Sequence, residues 1–410
     1  MIHTNKGNYF LSFCTIITYT RCVKDVGYIG FRFMTLVIRN HSEHPGTHVL
    51  IVGVGSYPTF PGYVPGQNTM GQIDSAEIGA QSVANWFAQK FHNPSKPLAS
   101  LRLLLSNDHG NQWESAEGVQ QVDAATSDNF LDAYDAWIAD ADAQPGSTLV
   151  LYFAGHGIGS WADHSLICEN YNAAPKRRME GAVDYNNVLY AIANKSKSSH
   201  VWIFIDSCRV SEIAQAINGD YGRKVDDGTG PIGKIGGPKI STFFATSPGG
   251  EAHGNAGAPS FFAEAVVKAF ESNAFDRRNG RDWACFTDVA FRAISKQLER
   301  IYVREDFDLA TRPVPYQWNA DSDSFLHCLP AERLPTMMVE ISCDPDSDNA
   351  THTIFWKQGV QETLQQPSGQ VWRTELTPGY YSFGAIGGDG RRCRNKNESV
   401  VLPFHYIFVG

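Results

Sequence analysis

The chain has 410 residues, a length that fits one large domain with a smaller one beside it. Hydrophobic residues make up 42% and charged residues 19%, and the net charge of −9 supplies no basic surface for nucleic acid or anionic lipid. No apolar run approaches the ~18 residues that a membrane span needs. From the charge we expect no nucleic acid among the partners, and from the lack of such a run we expect no membrane.

The eight cysteines are spread along the chain without a C-x-x-C pair. This spacing favours reduced thiols in the cytoplasm over a zinc site or a disulfide framework. Residues 1–46 form an N-terminal extension, whose first part resembles a signal-peptide core without a small-residue cleavage site. We read residues 1–33 as lying upstream of a start at Met34, with secretion as the less favoured alternative.

Strands and helices alternate through the next hundred residues. The apolar run at 47–57 predicts a strand buried on both faces, and a helix with one apolar face begins at Asp74. A second strand is predicted at 101–105 and a second helix from Ser127. This order is typical of a doubly wound α/β sheet.

Two later apolar runs each end at a reactive side chain. LVLYFAGHG, residues 149–157, leads to His156, and VWIFIDSCRV leads to Asp206 and Cys208. Between them, DYNNVLYAIANKS has the apolar spacing of a helix, which predicts a right-handed crossover between two parallel strands. Because the carboxyl ends of parallel strands meet at one edge of a sheet, we expect His156 and Cys208 to lie close together.

These motifs resemble those of the caspase-like cysteine peptidases, the group with caspases, metacaspases and paracaspases. FAGHG is followed 52 residues later by IDSCR, and a histidine roughly 50 residues before the cysteine is a feature of caspases. Asp206-Ser207-Cys208 is closer to metacaspases, paracaspases and legumain than to the Gln-Ala-Cys of caspases. The resemblance covers residues 47–329 and includes Ala-Pro-Ser-Phe-Phe at 258–262, which is similar to a helix start of bacterial caspase-like domains.

The resemblance implies a catalytic dyad of His156 and Cys208. A cysteine thiolate is a strong nucleophile, and a histidine beside it can take its proton and later protonate the leaving amine. In the family, the backbone N–H groups of the glycine after the histidine and of the cysteine face the oxyanion, which implies this role for Gly157 and Cys208. The sequence does not identify a third group that orients the histidine.

The resemblance also implies an acidic pocket for the residue before the cleaved bond. Asp206 stands two residues before the nucleophile, where basic-specific members of the family carry an aspartate that helps line this pocket. We expect arginine to be preferred over lysine, because its planar guanidinium pairs a carboxylate through two hydrogen bonds. Legumain shares the aspartate yet prefers asparagine. Asp163 or Glu169 is a candidate for a second acidic wall.

A glycine-rich loop at 219–239 follows the nucleophile, and loops of this length are usually functional or mobile. It lies where caspases carry their intersubunit linker and contains the dibasic pair Arg223-Lys224. We therefore predict proteolytic activation there, by the enzyme itself or by an upstream protease, and the alternative is a solvated connector. This interpretation requires no cofactor. Calcium dependence remains an alternative because metacaspases often need calcium, but we assign no acidic cluster to a calcium ion.

The peptidase domain is predicted to span residues 47–330, with a strand at 239–247 and helices at 260–270 and 287–301. From residue 331 to 410 short β-branched and aromatic runs alternate with turns, which indicates a small antiparallel β-sandwich. Protein substrates are the expected partners, and the β domain is a candidate docking site for a regulator. The overall prediction is a mostly parallel, caspase-like α/β sheet flanked by helices, with this β domain attached.

Three other interpretations remain open. The first is a catalytically silent caspase-like scaffold, against which the intact His156 and Cys208 argue. The second is a nucleotide-binding domain, for which GVGSY after the first strand is the only sign and lacks the third glycine of the motif. The third is a metal site of His156, Asp163 and His164, whose spacing matches no familiar ligand set. We expect structural roles for other histidines, namely His109, His164 and His253.

Overall fold

A computed structural model describes residues 35–41, 43–60, 70–159, 163–209, 221–228, 236–278, 282–308, 312–319, 323–400 and 404–409. Its strands up to residue 330 are β1 (Leu36–Arg39), β2 (Thr47–Val54), β3 (Leu98–Ser106), β4 (Gln112–Ser115), β5 (Gly118–Gln121), β6 (Thr148–Ala154), β7 (Gly157–Gly159), β8 (His164–Ile167), β9 (Ala182–Asp184), β10 (His200–Asp206), β11 (Lys239–Phe244), β12 (Ala284–Phe286), β13 (Tyr316–Trp318) and β14 (Phe325–Cys328).

The α-helices of the described ranges all lie in the same part of the chain. They are α1 (Asp74–Gln89), α2 (Ser127–Asp142), α3 (Tyr185–Lys195), α4 (Phe261–Glu271) and α5 (Thr287–Arg304). Side chains cap three of these helices, because Thr126, Asp184 and Ser260 each accept a hydrogen bond from a backbone N–H of the first turn. No helix in the described ranges is long and apolar enough to cross a membrane.

A seven-stranded sheet in the order β1-β3-β2-β6-β10-β11-β13 is the centre of the fold. The five strands from β3 to β11 are parallel, and β1 and β13 add antiparallel edges. All eight residues of β2 are buried, as expected for a strand covered on both faces. Residues of α1, α4 and α5 share one hydrophobic core with the sheet, and residues of α2 and α3 share the other.

The predicted α/β fold with a mostly parallel sheet is confirmed. The edge strand β1 was not predicted: it lies within the expected extension at 1–46, yet it pairs with β3 from Leu36 to Arg39. Its four residues are too few to show a period, and only the pairing with Leu101 and its neighbours reveals it. The strand β13 was not predicted either, because its three residues are also too few to show a period.

A small antiparallel sheet of β7, β8 and β9 follows β6 directly. Ile167 N–H donates to the carbonyl of His156 at 3.0 Å, which ties the start of β7 to β8. On the far side of β9, Arg223 forms a one-residue parallel bridge with Val183. This small sheet therefore connects the segment around Arg223 to the segment after His156.

The strands after residue 330 form two sheets over a separate hydrophobic core, as in a β-sandwich. The prediction of antiparallel pairing is wrong for one strand pair, because the last strand, Phe404–Val409, returns beside the first, Met337–Cys343, in parallel. They are β15 (Met337–Cys343), β16 (Thr353–Gln358), β17 (Gln361–Gln365), β18 (Trp372–Leu376), β19 (Gly379–Ile386), β20 (Arg392–Val400) and β21 (Phe404–Val409). Arg300 of α5 is 2.7 Å from Glu375 of β18. Residues 33–410 form one compact unit by their contacts, so the boundary between 330 and 331 stays a prediction.

Candidate active site

The carboxyl ends of β6 and β10 meet at one edge of the sheet. Ala154 and Asp206 are partners in the parallel ladder, and the N–H of Gly155 donates to the carbonyl of Asp206 at 3.2 Å. His156 and Cys208 each lie two residues beyond that matched pair. The structure therefore places both residues at the same edge of the sheet, just beyond the ends of neighbouring parallel strands.

His156 is held by the backbone of a loop far away in sequence. Its Nε2 lies 2.8 Å from the carbonyl oxygen of Gly71. A carbonyl only accepts, so Nε2 carries the proton of the neutral ring and Nδ1 is unprotonated. Burial lowers the pKa of His156 below its ordinary value, more than this hydrogen bond raises it. Gly71 is the orienting group that the sequence did not identify.

The Cys208 thiol is half-buried, and its sulfur accepts a hydrogen bond from Ala252 N–H at 3.3 Å. Burial raises the pKa of the thiol; the Ala252 hydrogen bond opposes this, while the charges of Glu251 and Asp206 raise the pKa further. With the histidine pKa lowered and the cysteine pKa raised, both side chains are neutral at rest.

Gly157 packs against the backbone of Cys208. A Cβ at this position would lie 2.5 Å from the Cys208 carbonyl oxygen and 2.6 Å from Nε2 of His164. In an antiparallel ladder, hydrogen-bonded and non-hydrogen-bonded pairs alternate. His156 and Ile167 form a bonded pair, so Gly157 and Leu166 form a non-bonded one, and the Gly157 N–H points away from β8. This N–H is thus available to an oxyanion.

Asp206 is almost completely buried, with 4% of its surface exposed. Its Oδ2 accepts hydrogen bonds from the hydroxyls of Tyr152, at 2.8 Å, and Ser260. Burial raises the Asp206 pKa to about 6, and the two hydroxyls oppose the shift. Neither hydroxyl carries a charge that would balance the carboxylate. Asp206 therefore lies beneath the strand end, not on an open wall.

The two further acidic candidates lie in different places. Asp163 accepts a hydrogen bond from Asn186 at 3.2 Å and lines a cavity of about 190 Å³. The same cavity contains Arg209, the residue after the nucleophile, so its wall carries both charges. Glu169 accepts a hydrogen bond from Ser106 at the end of β3, and β2 and β6 lie between β3 and the strand that carries Cys208. Glu169 is therefore not brought to the nucleophile.

The dibasic pair Arg223-Lys224 lies in the predicted glycine-rich segment, but the backbone of Arg223 is hydrogen-bonded to a strand. Residues 219–220 and 229–235 lie outside the described residues, while Arg223 and Lys224 are described. Arg223 N–H donates to Ala182 O at 2.8 Å, and its carbonyl accepts from Asp184 N–H at 2.9 Å. The Arg223 guanidinium pairs with Asp128. The peptide bond after Arg223 is thus fixed to β9 by hydrogen bonds, a constraint that glycine content did not reveal.

Two residues near Cys208 were missed from the sequence. Glu251 and Ala252 follow β11, the neighbour of β10, so the rule that functional residues lie at the carboxyl ends of parallel strands would have identified them. His164, for which we expect a structural role, is 3.1 Å from the hydroxyl of Ser207, and burial lowers its pKa to about 3. It supports the segment that carries Cys208. Its contacts span the small sheet and β10, which a linear pattern does not encode.

The structure explains the glycines of GVGSY, which suggested nucleotide binding, and the positions of His156 and His164, which suggested a metal site. A Cβ at Gly53 or Gly55 would lie 2.5 or 2.9 Å from a Cβ of α1, so these glycines of GVGSY permit close packing of helix on strand. The rings of His156 and His164 bond to different partners, Gly71 and Ser207. Within the described ranges, no group of three or more His, Cys, Asp or Glu side chains is arranged to hold a metal ion.

Comparison with known proteins gives matches over most of the chain. The family model of the caspase domain matches residues 47–295. An uncharacterized protein, y4kE of Sinorhizobium fredii, is 24% identical over 327 residues, which cover 75% of this chain and 92% of that protein.

Among solved structures, protein GSU0716 from Geobacter sulfurreducens is 14% identical with a TM-score of 0.42, and the match covers 70% of this chain and 98% of that one. Caspase-1 from Spodoptera frugiperda is 10% identical with a TM-score of 0.40, over 74% of this chain and 100% of that one.

Proposed function

Because the chain belongs to the caspase domain family, which is a family of cysteine-type peptidases, we propose that it is an endopeptidase with Cys208 as nucleophile and His156 as general base. The observation that carries this proposal is the register of β6 and β10, which places the two side chains two residues beyond the Ala154 and Asp206 pair. Gly157 supplies an N–H at the same edge, as an oxyanion would require.

In this mechanism Nδ1 of His156 takes the proton of the Cys208 thiol as the sulfur attacks the carbonyl carbon of the scissile bond. The carbonyl electrons move to its oxygen, which the N–H groups of Gly157 and Cys208 stabilise. His156 then gives the proton to the leaving amine, the C–N bond breaks and an acyl-enzyme remains. Water, deprotonated by His156, hydrolyses the thioester and restores the thiol.

The charges around the nucleophile support a preference for arginine, and then lysine, before the cleaved bond. Glu251 is exposed, and its charge acts on the Cys208 thiol together with that of Asp206. Because the Asp206 carboxylate is buried against two hydroxyls, its charge favours a basic substrate side chain only from a distance, and Glu251 is the acidic group that such a side chain would reach. Asp163 stays a candidate for a second wall, although Arg209 shares its cavity and reduces the attraction.

This preference gives a test by charge removal. Wild-type protein should cleave an Arg-ended peptide faster than its Asp-ended counterpart, and Glu251→Gln should lower kcat/KM for the Arg-ended peptide by about tenfold or less, because Glu251 is exposed and screened by water. Glu299→Gln, on the surface of α5, is the matched control. Kinetics with and without calcium would measure both specificity and calcium dependence. Faster cleavage of the Asp-ended peptide would overturn the preference.

The same proposal extends to activation through the segment at 219–239. Asn187 of α3 fixes it a second time, since its side chain accepts from Asp226 N–H at 2.9 Å and donates to Asp226 O at 2.8 Å. A protease has to extend the chain around a cleaved bond, which these backbone hydrogen bonds oppose. Cutting after Arg223 therefore first requires release of the segment from β9 and α3.

Mutation of the dibasic pair distinguishes the effect of losing the cleavage site from the effect of losing the ion pair between Arg223 and Asp128. The double variant Arg223→Ala with Lys224→Ala should stay intact and turn over peptide slowly, as mass spectrometry and kinetics would measure. Asp128→Ala is the matched control, because it removes the ion pair of Arg223 and leaves the dibasic sequence in place. It should be cut near residue 223 at least as fast as wild type. A double variant as active as wild type would show that the segment is not the switch.

A further inference from the structure

The hydroxyl of Tyr57 occupies an unusual place beside His156. His156 N–H donates to Tyr57 Oη at 2.8 Å, and that hydroxyl donates to the carbonyl of Ile167 at 3.3 Å. His156 and Ile167 face each other in a bonded pair, whose first hydrogen bond, from Ile167 N–H to His156 O, is present. The second bond of such a pair would run directly from His156 N–H to Ile167 O. The Tyr57 hydroxyl takes the place of that second bond.

The insertion has a geometric consequence for His156. The pair is therefore closed directly on one side, at 3.0 Å, and held apart by the Tyr57 hydroxyl on the other. The side that is held apart is the backbone N–H of His156, immediately before Gly157. A local splay at this point bears on the direction of the imidazole and on the position of the Gly157 N–H.

The tyrosine is itself rigidly held. Tyr57 is completely buried, its ring stacks on Phe60 at 4.8 Å, and its ring centroid is 4.9 Å from that of His156. The side chain of Gln72 binds both backbone groups of Tyr57, accepting from its N–H at 2.5 Å and donating to its carbonyl at 2.9 Å. A Cβ at Gly155 would lie 2.9 Å from Tyr57 Oη, so the glycine there admits the hydroxyl.

Gln72 also follows Gly71, whose carbonyl binds Nε2 of His156. One unit of Tyr57, Gly71 and Gln72 thus holds His156 at its backbone N–H and at the far end of its ring. We infer that Tyr57 is a positioning residue of the dyad, which acts by bridging the second hydrogen bond between His156 and Ile167 and so preventing its direct closure. This inference rests on the proposed function of His156 as the base.

Tyr57→Phe tests the inference, because it removes the hydroxyl and keeps the ring. The pair of His156 and Ile167 then either closes directly or leaves His156 N–H unpaired, and both changes move the imidazole. We expect kcat for an Arg-ended peptide to fall about 10- to 100-fold with little change in KM, since a base displaced by about 1 Å loses most of its effect. Tyr381→Phe is the matched control: that hydroxyl donates to Thr377 O in the β-sandwich, at 3.0 Å.

A second readout does not require peptidase activity. The rate at which iodoacetamide alkylates Cys208 near neutral pH depends on the thiolate that His156 stabilises. We expect Tyr57→Phe to slow this alkylation and to change its pH profile, and Gln72→Ala, at an exposed position, to act in the same direction more weakly. Wild-type protein that alkylates normally but cleaves no peptide would refute the proposed function alone.

The positioning role itself is overturned if a folded Tyr57→Phe variant matches wild type in both kcat and alkylation profile. If Tyr57→Phe does not fold, the Gln72→Ala variant provides the test. Wild-type kcat and a wild-type alkylation rate in that variant overturn the positioning role, and a decrease in both supports it. Circular dichroism and the unfolding temperature establish which of these cases applies.

Discussion

Cys208→Ala should abolish peptide cleavage while the fold stays intact. Under the proposed function the thiol is the nucleophile, and His156, the other reactive group at this edge among the described residues, has its Nε2 bound to Gly71 and serves as the base. The cost in stability should be small, since the half-buried sulfur makes only weak hydrogen bonds to the backbone of Ala252, accepting from its N–H at 3.3 Å and donating to its carbonyl at 3.9 Å. Peptide kinetics, circular dichroism and the unfolding temperature measure the two effects together.

Cys393→Ala is the matched control, because Cys393 is the other half-buried cysteine among those described and lies in the β-sandwich. It should retain wild-type activity. If Cys208→Ala still cleaves at the wild-type rate, another group is the nucleophile. If it unfolds, the thiol is needed for packing and the proposal loses its main residue.

Gly157→Ala should have the second-largest effect, by displacing the backbone of the nucleophile. The added Cβ would lie 2.5 Å from both the Cys208 carbonyl oxygen and Ser207 Oγ, and backbone cannot give way as a flexible side chain does. The oxyanion donor and the sulfur would move apart. We expect kcat to fall about 100- to 1,000-fold, the range seen when one oxyanion donor is removed.

The control for this substitution is Gly388→Ala. Gly388 is a glycine of the β-sandwich whose Cβ would meet no atom within 4 Å, so its replacement should leave activity and stability unchanged. The kinetics of both variants with an Arg-ended peptide give the comparison. An active Gly157→Ala variant would mean that this N–H does not stabilise the oxyanion and that the loop at Cys208 adapts to the methyl group.

The central sheet and the positions of His156 and Cys208 could be predicted because they depend on local patterns. Strands buried on both faces are unbroken apolar runs, and the parallel order then fixes which edge their ends share. The short strands β1 and β13 could not be predicted, since three or four residues carry no period and their pairing depends on distant partners.

The surroundings of the dyad were less predictable, because they depend on backbone groups and on contacts between distant segments. Gly71 binds His156 through a carbonyl, which every residue type possesses, so no side chain marks it in the sequence. Asp206 and Glu169 were assigned to a pocket from their position along the chain, yet their carboxylates bond to Ser260 and Ser106. Those bonds follow from how strands and helices pack, not from spacing.

Covalent labelling tests the central claim most directly. An electrophilic peptide probe that ends in arginine should modify purified protein at Cys208, as peptide mapping by mass spectrometry would show, and His156→Ala should slow the labelling strongly. Cys393, which is similarly half-buried but far from any histidine base of this site, should stay unmodified under the same conditions. Labelling of Cys208 and Cys393 at equal rates, or labelling of Cys208 that is unaffected by His156→Ala, would contradict the account.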